Sequence, residues 1–388
     1  MKILILDQFS EPGGAQLCVR DLAPEIARRE WHATFMAPGN GAVRGSLEEL
    51  GMKNERLPGL AYNNGRKSVR DVARYGLDIA LAAVSIARFT GQNRPDLIYI
   101  NGPRVLPAGV AFGCPVVFHA HNYLVKTYAR MIAVMCLRMK RVEVIASSRF
   151  AGRALDGLIA ADRMRVLYSG VPDMGFVAER REAETVRIGI VGRIAPEKGQ
   201  LDVIRATKLL LASGHRVELV IYGASMFSTA DYEARVRNEA AGIPVRFAGW
   251  TEDVAKALHE IDVLAVPSGS IEAAGRVIME ALSAGTPVVA YPSGGIPELI
   301  RDGYTGLLTE QPAPASLARS IEKLLTDPAL RLRIAREGRR EWESRFQVGR
   351  FQREVCDLFE SMVAGRGIGQ VSAPAQAHRS AYERTQGD

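Results

Sequence analysis

The chain has 388 residues, enough for two domains of ordinary size. Hydrophobic residues make up 47% of it and charged residues 24%, which excludes a fibrous, collagen-like or largely disordered protein. The net charge is +7; residues 1–178 carry +8 and residues 179–388 carry −1. This basic excess indicates that the N-terminal half meets a nucleic acid, an anionic membrane surface or an anionic substrate.

The cysteine pattern and the apolar stretches bear on location. The four cysteines form no CxxC pair and fit no zinc pattern, so we expect free thiols in a reducing compartment. The first strand runs directly into Asp7, which leaves no apolar signal-peptide core. The longest near-continuous apolar stretch, 105–118, contains two prolines and is too short to cross a membrane. We therefore expect a cytoplasmic protein.

Short apolar strand patterns alternate with helical patterns along most of the chain. The strand patterns cover 2–7, 33–37, 97–100, 116–119, 144–147, 186–191, 217–222, 245–247, 263–266 and 287–290. The helical patterns cover 15–29, 200–212, 313–326, 330–345 and 346–363. This alternation predicts an α/β fold with parallel sheets covered by helices on both faces.

The pattern restarts after a charged stretch at 177–184, which we interpret as a linker. The sequence thus predicts two doubly wound domains, 1–178 and 179–345, with 346–364 as a further helix. Residues 365–388 are poor in apolar side chains, and we expect them to form a disordered tail. Ligands of such folds bind at the carboxyl ends of the strands, so we expect a site in the cleft between the domains.

A glycine-rich turn follows the first strand and contains Gly13 and Gly14. Such a turn allows backbone N–H groups at a helix N-terminus to approach a phosphate or a sugar. An equally good interpretation is a tight turn that needs glycine for its conformation. The pattern is not GxGxxG, so it does not predict a dinucleotide site.

The second half opens with the segment VGRIAPEKG, which holds Gly192, Arg193 and Lys198 after a buried strand. A guanidinium and an ammonium group at this place suit a diphosphate, because one offers a bidentate fork and the other a compact charge. Two solvated loop charges are an equally good interpretation.

Two carboxylates, Glu272 and Glu280, follow the strand pattern at 263–266. Helical character begins near Gly275, which places Glu272 in a loop and Glu280 in the second helical turn. Carboxylates suit sugar and ribose hydroxyls because they accept several hydrogen bonds. The alternatives are a charge near a helix N-terminus for Glu272 and a surface position for Glu280. Glu280 lies in an apolar run, so we expect it to be partly buried and to have a partner.

His119 and His121 lie two residues apart, on one face of a predicted strand. That spacing is compatible with a metal, but no third ligand is evident and the chain has no DxD motif. We therefore expect no metal and no other cofactor. A structural role for either histidine is the alternative.

Four segments together resemble the retaining GT-B glycosyltransferases of group 1 (family 4 type). They are PGGAQ, VGRIAPEKG, the E-x7-E segment and SAGTPVVAYPSGGIPELIRDGYTGLL, and the resemblance covers roughly residues 1–365. It implies two Rossmann-like domains that face each other across a cleft, with a C-terminal helix that crosses back to the first domain. It also implies a nucleotide-diphosphate sugar as the donor.

The resemblance further implies roles for individual residues. It gives Arg193 and Lys198 the donor diphosphate, Glu272 the donor sugar hydroxyls, and Glu280 the nucleotide ribose. Gly13 and Gly14 match the loop at the donor phosphate, and Gly192 and Gly275 fall within donor-binding segments. His121 matches the family's histidine near the donor sugar better than His119 does. The catalytic group would be Glu272, His121, Arg193 and Lys198.

This sequence departs from the family pattern at two positions. Ala274 stands where an aromatic residue is common, which bears on the shape of the sugar pocket. Gln16 stands where glutamate is also frequent, which bears on contacts to the acceptor or the donor sugar.

Two basic clusters account for the charge of the first half. They comprise Arg66, Lys67, Arg70 and Arg74, and then Lys126, Arg130, Arg138, Lys140 and Arg141. The second cluster alternates with Tyr128, Met131, Ile132, Val134, Met135 and Leu137. This pattern favours either an element at an anionic membrane surface, with an anionic or lipid-linked acceptor, or a core helix with a solvated basic face. No nucleic-acid motif accompanies the charge, so we expect no nucleic-acid partner.

The function predicted from these observations is retaining transfer of a sugar from a nucleotide-diphosphate sugar to an acceptor hydroxyl, in polysaccharide, glycolipid or glycoside assembly. The predicted location is cytoplasmic, with peripheral contact at the inner face of the membrane. Two alternatives remain open at this point: a GT-B-fold sugar-nucleotide epimerase and a non-catalytic nucleotide-sugar-binding module.

Overall fold

The computed structural model describes residues 1–59, 69–124, 127–139, 141–177, 184–225, 230–269 and 272–365. The chain forms two compact units. Among the described residues, the first unit comprises Met1–Gly170 and residues 348–365, and the second comprises Val171–Gln347. The division therefore falls before the predicted boundary at 178/179. Most of the predicted linker, nearly all of the predicted tail, and Arg66, Lys67, Lys126 and Lys140 lie outside the described residues.

The first unit contains a parallel sheet of seven strands in the order β3-β2-β1-β4-β5-β6-β7. Its strands are β1 (Lys2–Leu6), β2 (His32–Ala37), β3 (Lys53–Arg56), β4 (Leu97–Ile100), β5 (Val116–Ala120), β6 (Val142–Ala146) and β7 (Met164–Val166). The central strands are buried along their length, as apolar strands covered by helices on both faces should be.

Helices cover both faces of this sheet. They are α1 (Gly14–Arg28), α2 (Val43–Glu49), α3 (Val69–Asn93), α4 (Leu106–Gly109), α5 (Thr127–Leu137) and α6 (Arg149–Arg153). Successive side chains of β1 point to opposite faces, so Ile3 and Ile5 join one apolar core while Leu4 and Leu6 join the other. α1 and α2 pack into the first of these cores, and α3, α4 and α5 into the second.

The second unit repeats the arrangement with a parallel sheet of six strands in the order β10-β9-β8-β11-β12-β13. Its strands are β8 (Val186–Val191), β9 (Val217–Tyr222), β10 (Val245–Gly249), β11 (Val263–Val266), β12 (Val288–Ala290) and β13 (Leu307–Leu308). Its helices are α7 (Gln200–Ala212), α8 (Ala230–Glu239), α9 (Val254–Glu260), α10 (Arg276–Ala284), α11 (Pro314–Thr326) and α12 (Pro328–Arg345).

The last helix, α13 (Val348–Val363), belongs to the first unit. It packs against α1, and its Phe351, Val355 and Phe359 are fully buried in the same apolar core as α1 and α2. The chain thus leaves the first unit, builds the second, and returns to complete the first.

The strand order of each sheet reverses between its first strand and a strand from its second half. The reversal lies between β1 and β4 in the first unit and between β8 and β11 in the second. Chain segments that leave two such strands diverge to opposite faces of the sheet, which opens a crevice at the carboxyl ends. Among the described residues, no helix is both long enough and apolar enough to span a membrane.

Candidate active site

In the second unit, the loop after β8 carries the predicted diphosphate ligands. Gly192 follows the strand directly with φ of 149°, and its N–H donates to the carbonyl of Tyr222 at 3.0 Å. A Cβ on Gly223 would lie 1.9 Å from the Gly192 carbonyl oxygen. Glycine at 223 is therefore required for the turns after β8 and β9 to touch, and this contact fixes the start of the Arg193 loop.

Lys198 and Glu272 form an ion pair across the switch point of the second sheet. The Nζ of Lys198, which follows β8, donates to Oε2 of Glu272, which follows β11. The other carboxylate oxygen of Glu272 accepts a hydrogen bond from the Gly275 N–H at 3.2 Å. Two predicted site residues from distant parts of the sequence thus meet at the place where a doubly wound sheet binds its ligand.

The charge state of Glu272 follows from this pairing. Burial by itself raises the pKa of a carboxyl group, but the Lys198 ammonium and the hydrogen bonds outweigh it, so the pKa of Glu272 lies below its usual value. Glu272 is therefore ionised at neutral pH and can accept hydrogen bonds through its carboxylate oxygens.

Close backbone approaches at two glycines hold this pair. Gly199 has φ of 75°, and a Cβ there would lie 2.4 Å from the carbonyl oxygen of Pro267, just past β11. Gly294 has φ of 58°, and a Cβ there would lie 2.1 Å from the carbonyl oxygen of Glu272. Because neither residue has a Cβ, the backbone of each neighbouring loop can pack closely against the segment that carries Glu272.

Glu280 lies in the second turn of α10, as predicted, and is buried. Its Oε1 accepts a hydrogen bond from Nε of Arg276 at 2.8 Å, an i,i+4 pair in which both side chains are less than a tenth exposed. The expectation of a buried carboxylate with a partner is confirmed. Because α10 begins at Arg276, Glu272 is not part of the helix, as the loop assignment predicted.

Arg193 is half-buried and pairs with Glu197, from Nη2 to Oε1, at 3.0 Å. The loop after β8 therefore presents two cations held differently: Lys198 by the site carboxylate, Arg193 by its own loop.

In the first unit, a buried polar network occupies the corresponding switch point. Asp7 follows β1, and its Oδ1 accepts hydrogen bonds from Nε2 of Gln16 at 2.8 Å and from the Phe9 N–H at 3.0 Å. Asn101 follows β4, and its Nδ2 donates to Oδ2 of Asp7 at 2.5 Å. Burial raises the pKa of Asp7 to about 6, with these hydrogen bonds opposing the rise.

Gly13 and Gly14 lie at the N-terminus of α1. Gly13 is the N-cap, with extended backbone, and a Cβ there would lie 2.8 Å from Oε1 of Gln16. Glycine at 13 thus makes room for the buried Gln16 amide that reaches Asp7. The amide at 16 also suits Asp7 chemically, because it supplies a donor where a glutamate would oppose a second carboxylate.

The two histidines occupy different environments. His119 lies within β5 and is fully buried, with Nδ1 at 2.5 Å from the hydroxyl of Tyr99. His121 follows the end of β5, and its Nε2 lies 2.7 Å from Oδ1 of Asn101. The centroids of the two rings lie 3.8 Å apart, and the ring planes are tilted by 31°. Of the two, His121 is the one at the carboxyl edge of the sheet.

The predicted absence of a metal stays a prediction. Within the described ranges, no group of three His, Cys, Asp or Glu side chains is arranged to hold an ion. Polar residues at both switch points form hydrogen bonds and an ion pair with one another.

Three residues of these sites, Asn101, Gly199 and Gly294, are not among the site residues predicted from the sequence. Asn101 lies in no recognised motif, but it is the first polar residue after a buried strand, as Asp7 is after β1. That position alone places a side chain at the carboxyl edge of a parallel sheet. Both glycines lie within segments that carry the family resemblance, VGRIAPEKG and SAGTPVVAYPSGGIPELIRDGYTGLL, but the importance of each depends on which loop lies opposite.

Comparisons with protein-family models and with known proteins test the predicted family. Residues 177–341 match the model for glycosyl transferases group 1, and residues 12–173 match that for Glycosyltransferase Family 4. The D-inositol 3-phosphate glycosyltransferase of Actinosynnema mirum is 31% identical over 370 residues, which cover 84% of this chain and 87% of that protein. The chain belongs to the group 1 glycosyltransferases.

Two further similarities place this glycosyltransferase among its relatives. The lipopolysaccharide core biosynthesis glycosyltransferase LpsE of Rhizobium meliloti is 38% identical over 123 residues, which cover 31% of this chain and about a third of that protein (34%). The crystal structure of Anabaena HepE in complex with UDP and glucose matches with a TM-score of 0.77 at 26% identity, over 93% of this chain and 100% of HepE. The architecture is GT-B, with two Rossmann-like α/β domains.

Proposed function

We propose that this glycosyltransferase moves a sugar from a nucleotide-diphosphate sugar to an acceptor hydroxyl with retention of the anomeric configuration. The observation that carries the proposal is the Lys198–Glu272 pair at the switch point of the second sheet. It offers a cation for a phosphate and an ionised acceptor for hydroxyls side by side. The relative HepE, crystallised with UDP and glucose, supports a donor of this class.

The proposed reaction breaks the bond between the anomeric carbon and the donor phosphate oxygen. The nucleoside diphosphate leaves, and Lys198 and Arg193 stabilise the charge that develops on it. The acceptor oxygen bonds to the anomeric carbon from the same face, and its proton passes to the departing phosphate oxygen. Glu272 orients the donor sugar through its hydroxyls, and Glu280 binds the ribose. None of these steps needs a metal.

A donor assay tests this proposal. UDP-glucose and then a panel of other nucleotide-diphosphate sugars are incubated with the protein, and nucleotide release is measured with and without acceptor. Turnover with release of nucleoside diphosphate supports transfer. Conversion of the donor to an epimer without release would show the epimerase instead, and silence across the panel would favour a binding module. Proton NMR of the glycosidic product tests retention.

Glu272→Ala is the decisive variant. We expect transfer to be lost while UDP affinity changes by less than about 10-fold, because the phosphate cations remain. Glu218→Ala is the matched control, since that carboxylate pairs with Arg187 in the same unit but away from the loops after β8 and β11. Normal turnover by the Glu272 variant would remove the proposed role.

We further propose that the acceptor is anionic or lipid-linked and is met at an anionic membrane surface. The activities by which two relatives are named, on D-inositol 3-phosphate and in lipopolysaccharide core assembly, support an acceptor of this kind. The surface that supports it is the outer face of α3, where Leu77, Leu81 and Val84 are 60%, 47% and 68% exposed. Helical spacing places these three side chains on one stripe.

The charges around this stripe complement an anionic surface. Arg70, Arg74 and Arg88 are exposed at either end of it, and no exposed residue among the described side chains of α3 is acidic. α5, which packs into the same core as α3, exposes Met131 and Met135 beside Arg130 and Arg138. An apolar stripe between cations is the pattern of a helix that lies at a membrane surface.

The two interpretations of the second basic cluster apply to different residues. Val134 and Leu137 are buried, as a core helix requires. Met131 and Met135 are 60% and 67% exposed, and a core role does not explain them.

Co-sedimentation with liposomes tests the membrane contact. We expect the protein to bind phosphatidylglycerol vesicles at low salt, to leave them at high salt, and to ignore phosphatidylcholine vesicles. Leu81→Ser should weaken this binding, whereas Leu209→Ser, at a comparably exposed leucine of the second unit, should not. Equal binding by wild type to both kinds of vesicle, or to neither, would end the proposal.

A further inference from the structure

A chain of three side chains links the ends of β1, β4 and β5 in the first unit. Asp7 accepts from Asn101, and Asn101 in turn faces His121. All three are buried, with exposed fractions of 0%, 1% and 9% in that order. Polar groups buried to this extent are kept in fixed orientations by their hydrogen bonds, because an unmet donor or acceptor is costly.

The orientation of the Asn101 amide follows from two of its neighbours. The carbonyl oxygen of Ala15 lies 3.0 Å from Nδ2 and has no hydrogen, so it accepts only. The Asp7 carboxylate, at 2.5 Å, is a second acceptor on the same side. The amide nitrogen must therefore face Ala15 and Asp7, and the amide oxygen must face His121.

This orientation in turn sets the tautomer of His121. The Asn101 Oδ1 atom cannot donate, so the proton in the 2.7 Å contact belongs to Nε2 of the imidazole. A neutral imidazole carries one ring proton, which leaves Nδ1 as an acceptor. Burial lowers the pKa of His121 to about 3, so the ring stays neutral at physiological pH.

We propose that Asn101 and Asp7 are positioning residues that hold His121 as the Nε2–H tautomer, so that Nδ1 accepts a hydrogen bond from a hydroxyl of a bound sugar substrate. The inference rests on the proposed function for the identity of that substrate. The hydrogen-bond chain that orients the ring does not depend on it. Among the described residues, the structure shows no hydrogen bond to Nδ1 of His121.

His119 contributes differently. Its ring packs against the ring of His121 at a tilt of 31°, and Tyr99 contacts its Nδ1. Its Nε2 is buried without a hydrogen-bond partner within the described part of the chain. His119 therefore supports the ring of His121 from the interior of the sheet, and we assign it no contact with substrate.

The tautomer is tested on the protein alone by long-range proton–nitrogen NMR of the histidine rings. We expect His121 to show a protonated Nε2 and an unprotonated Nδ1, with a hydrogen-bonded Nε2–H resonance. That resonance should disappear in Asn101→Ala and persist in Tyr99→Phe. The latter removes the contact to His119 and a longer donation, 3.4 Å, to Oδ1 of Asn101, but leaves the amide held by Ala15 and Asp7. A protonated Nδ1 in the wild type would overturn the proposal, whatever the protein is found to catalyse.

The functional part is tested by kinetics with the donor and acceptor found active. We expect Asn101→Ala to lower kcat by about 100-fold with little change in KM, because a misplaced group costs the transition state more than the ground state. Asn101→Asp should recover much of this loss, since a carboxyl at 101 accepts from Nε2–H and, when protonated, donates to Asp7. Asp7→Asn should cost less than Asn101→Ala, because Ala15 still orients the amide.

Two results would contradict this role. One is an unchanged kcat in His121→Ala. The other is an Asn101→Ala variant that loses stability and activity in parallel and is not recovered by Asn101→Asp. If no donor turns over, the proposed function fails, but the NMR result still decides the tautomer.

Discussion

Lys198 and Glu272 are 74 residues apart in the sequence, and the ammonium group of one donates to the carboxylate of the other. Each follows one of the two strands between which the order of the second sheet reverses. In the first unit, Asn101 and Asp7 are related in the same way, 94 residues apart, across β1 and β4. In each unit, a hydrogen-bonded pair of polar side chains therefore connects the segments that follow the two strands at the switch point.

We expect Lys198→Ala to weaken UDP-glucose binding by roughly 10- to 100-fold, because a charged hydrogen bond contributes about 1.5–3 kcal/mol. Isothermal titration calorimetry measures it. Lys208→Ala is the matched control. Lys208 lies on α7, outside the loop after β8, and also forms an ion pair with a glutamate of the second unit, Glu239, at 3.3 Å. Equal affinity in the two variants would exclude Lys198 from the donor site.

Gly294→Ala should lower transfer at least 10-fold. Its φ of 58° makes any Cβ unfavourable, and the added atom would overlap the Glu272 carbonyl oxygen, so the Glu272 loop must move. Gly303→Ala is the control, since φ there is 70° but nothing lies within 4 Å of the new Cβ. That control should cost only the backbone strain, about 1–2 kcal/mol of unfolding free energy, with activity retained. Equal activity in both variants would contradict the positional role of Gly294.

The buried Arg276–Glu280 pair predicts a stability effect. Arg276→Met should lower the free energy of unfolding by about 3 kcal/mol, because it deprives a buried carboxylate of its guanidinium. Arg276→Met combined with Glu280→Leu should recover part of this loss, which chemical denaturation measures. A double variant that loses the sum of the single effects would show that the two side chains are not coupled.

Glu143, on β6, predicts a pH-dependent stability. Its Oε2 is buried without a hydrogen-bond partner among the described residues, and burial raises its pKa from 4.5 to about 7. The folded state therefore holds a proton that the unfolded state releases above pH 4.5, and ionisation costs stability as the pH rises through 7. This cost is absent below pH 4.5 and complete above pH 7.

Glu143→Gln removes that cost. We expect the variant to match the wild type in unfolding free energy near pH 4.5 and to exceed it by about 1–2 kcal/mol at pH 8. This difference is smaller than the full pKa shift would give, because solvent screens a side chain that is only half-buried. Urea denaturation at the two pH values measures the difference. A variant less stable than wild type at pH 8 would show that burial of the Glu143 carboxylate does not destabilise the folded state.

The sequence predicts most of the fold because its central strands are continuous apolar runs, which only a sheet covered on both sides can bury. β3 is missed because its four residues, KNER, are polar; it pairs with β2 alone at the sheet edge and is largely exposed. No helical pattern is predicted at α3, because the apolar side chains on its outer face obscure the amphipathic period, and its exposed stripe is missed with it. The Lys198–Glu272 contact depends on β8 and β11 being neighbours, which no local pattern encodes.

The return of α13 to the first unit has a consequence for the order in which the protein is built. During synthesis, Phe351 and Phe359 leave the ribosome after Val171–Gln347, which contains every strand and helix of the second unit. Until then, the apolar core that contains α1 and α2 lacks the side chains of α13, so the first unit is incomplete. The second unit already has all of its strands and helices at that point. The half that is made second is the half that can finish folding first.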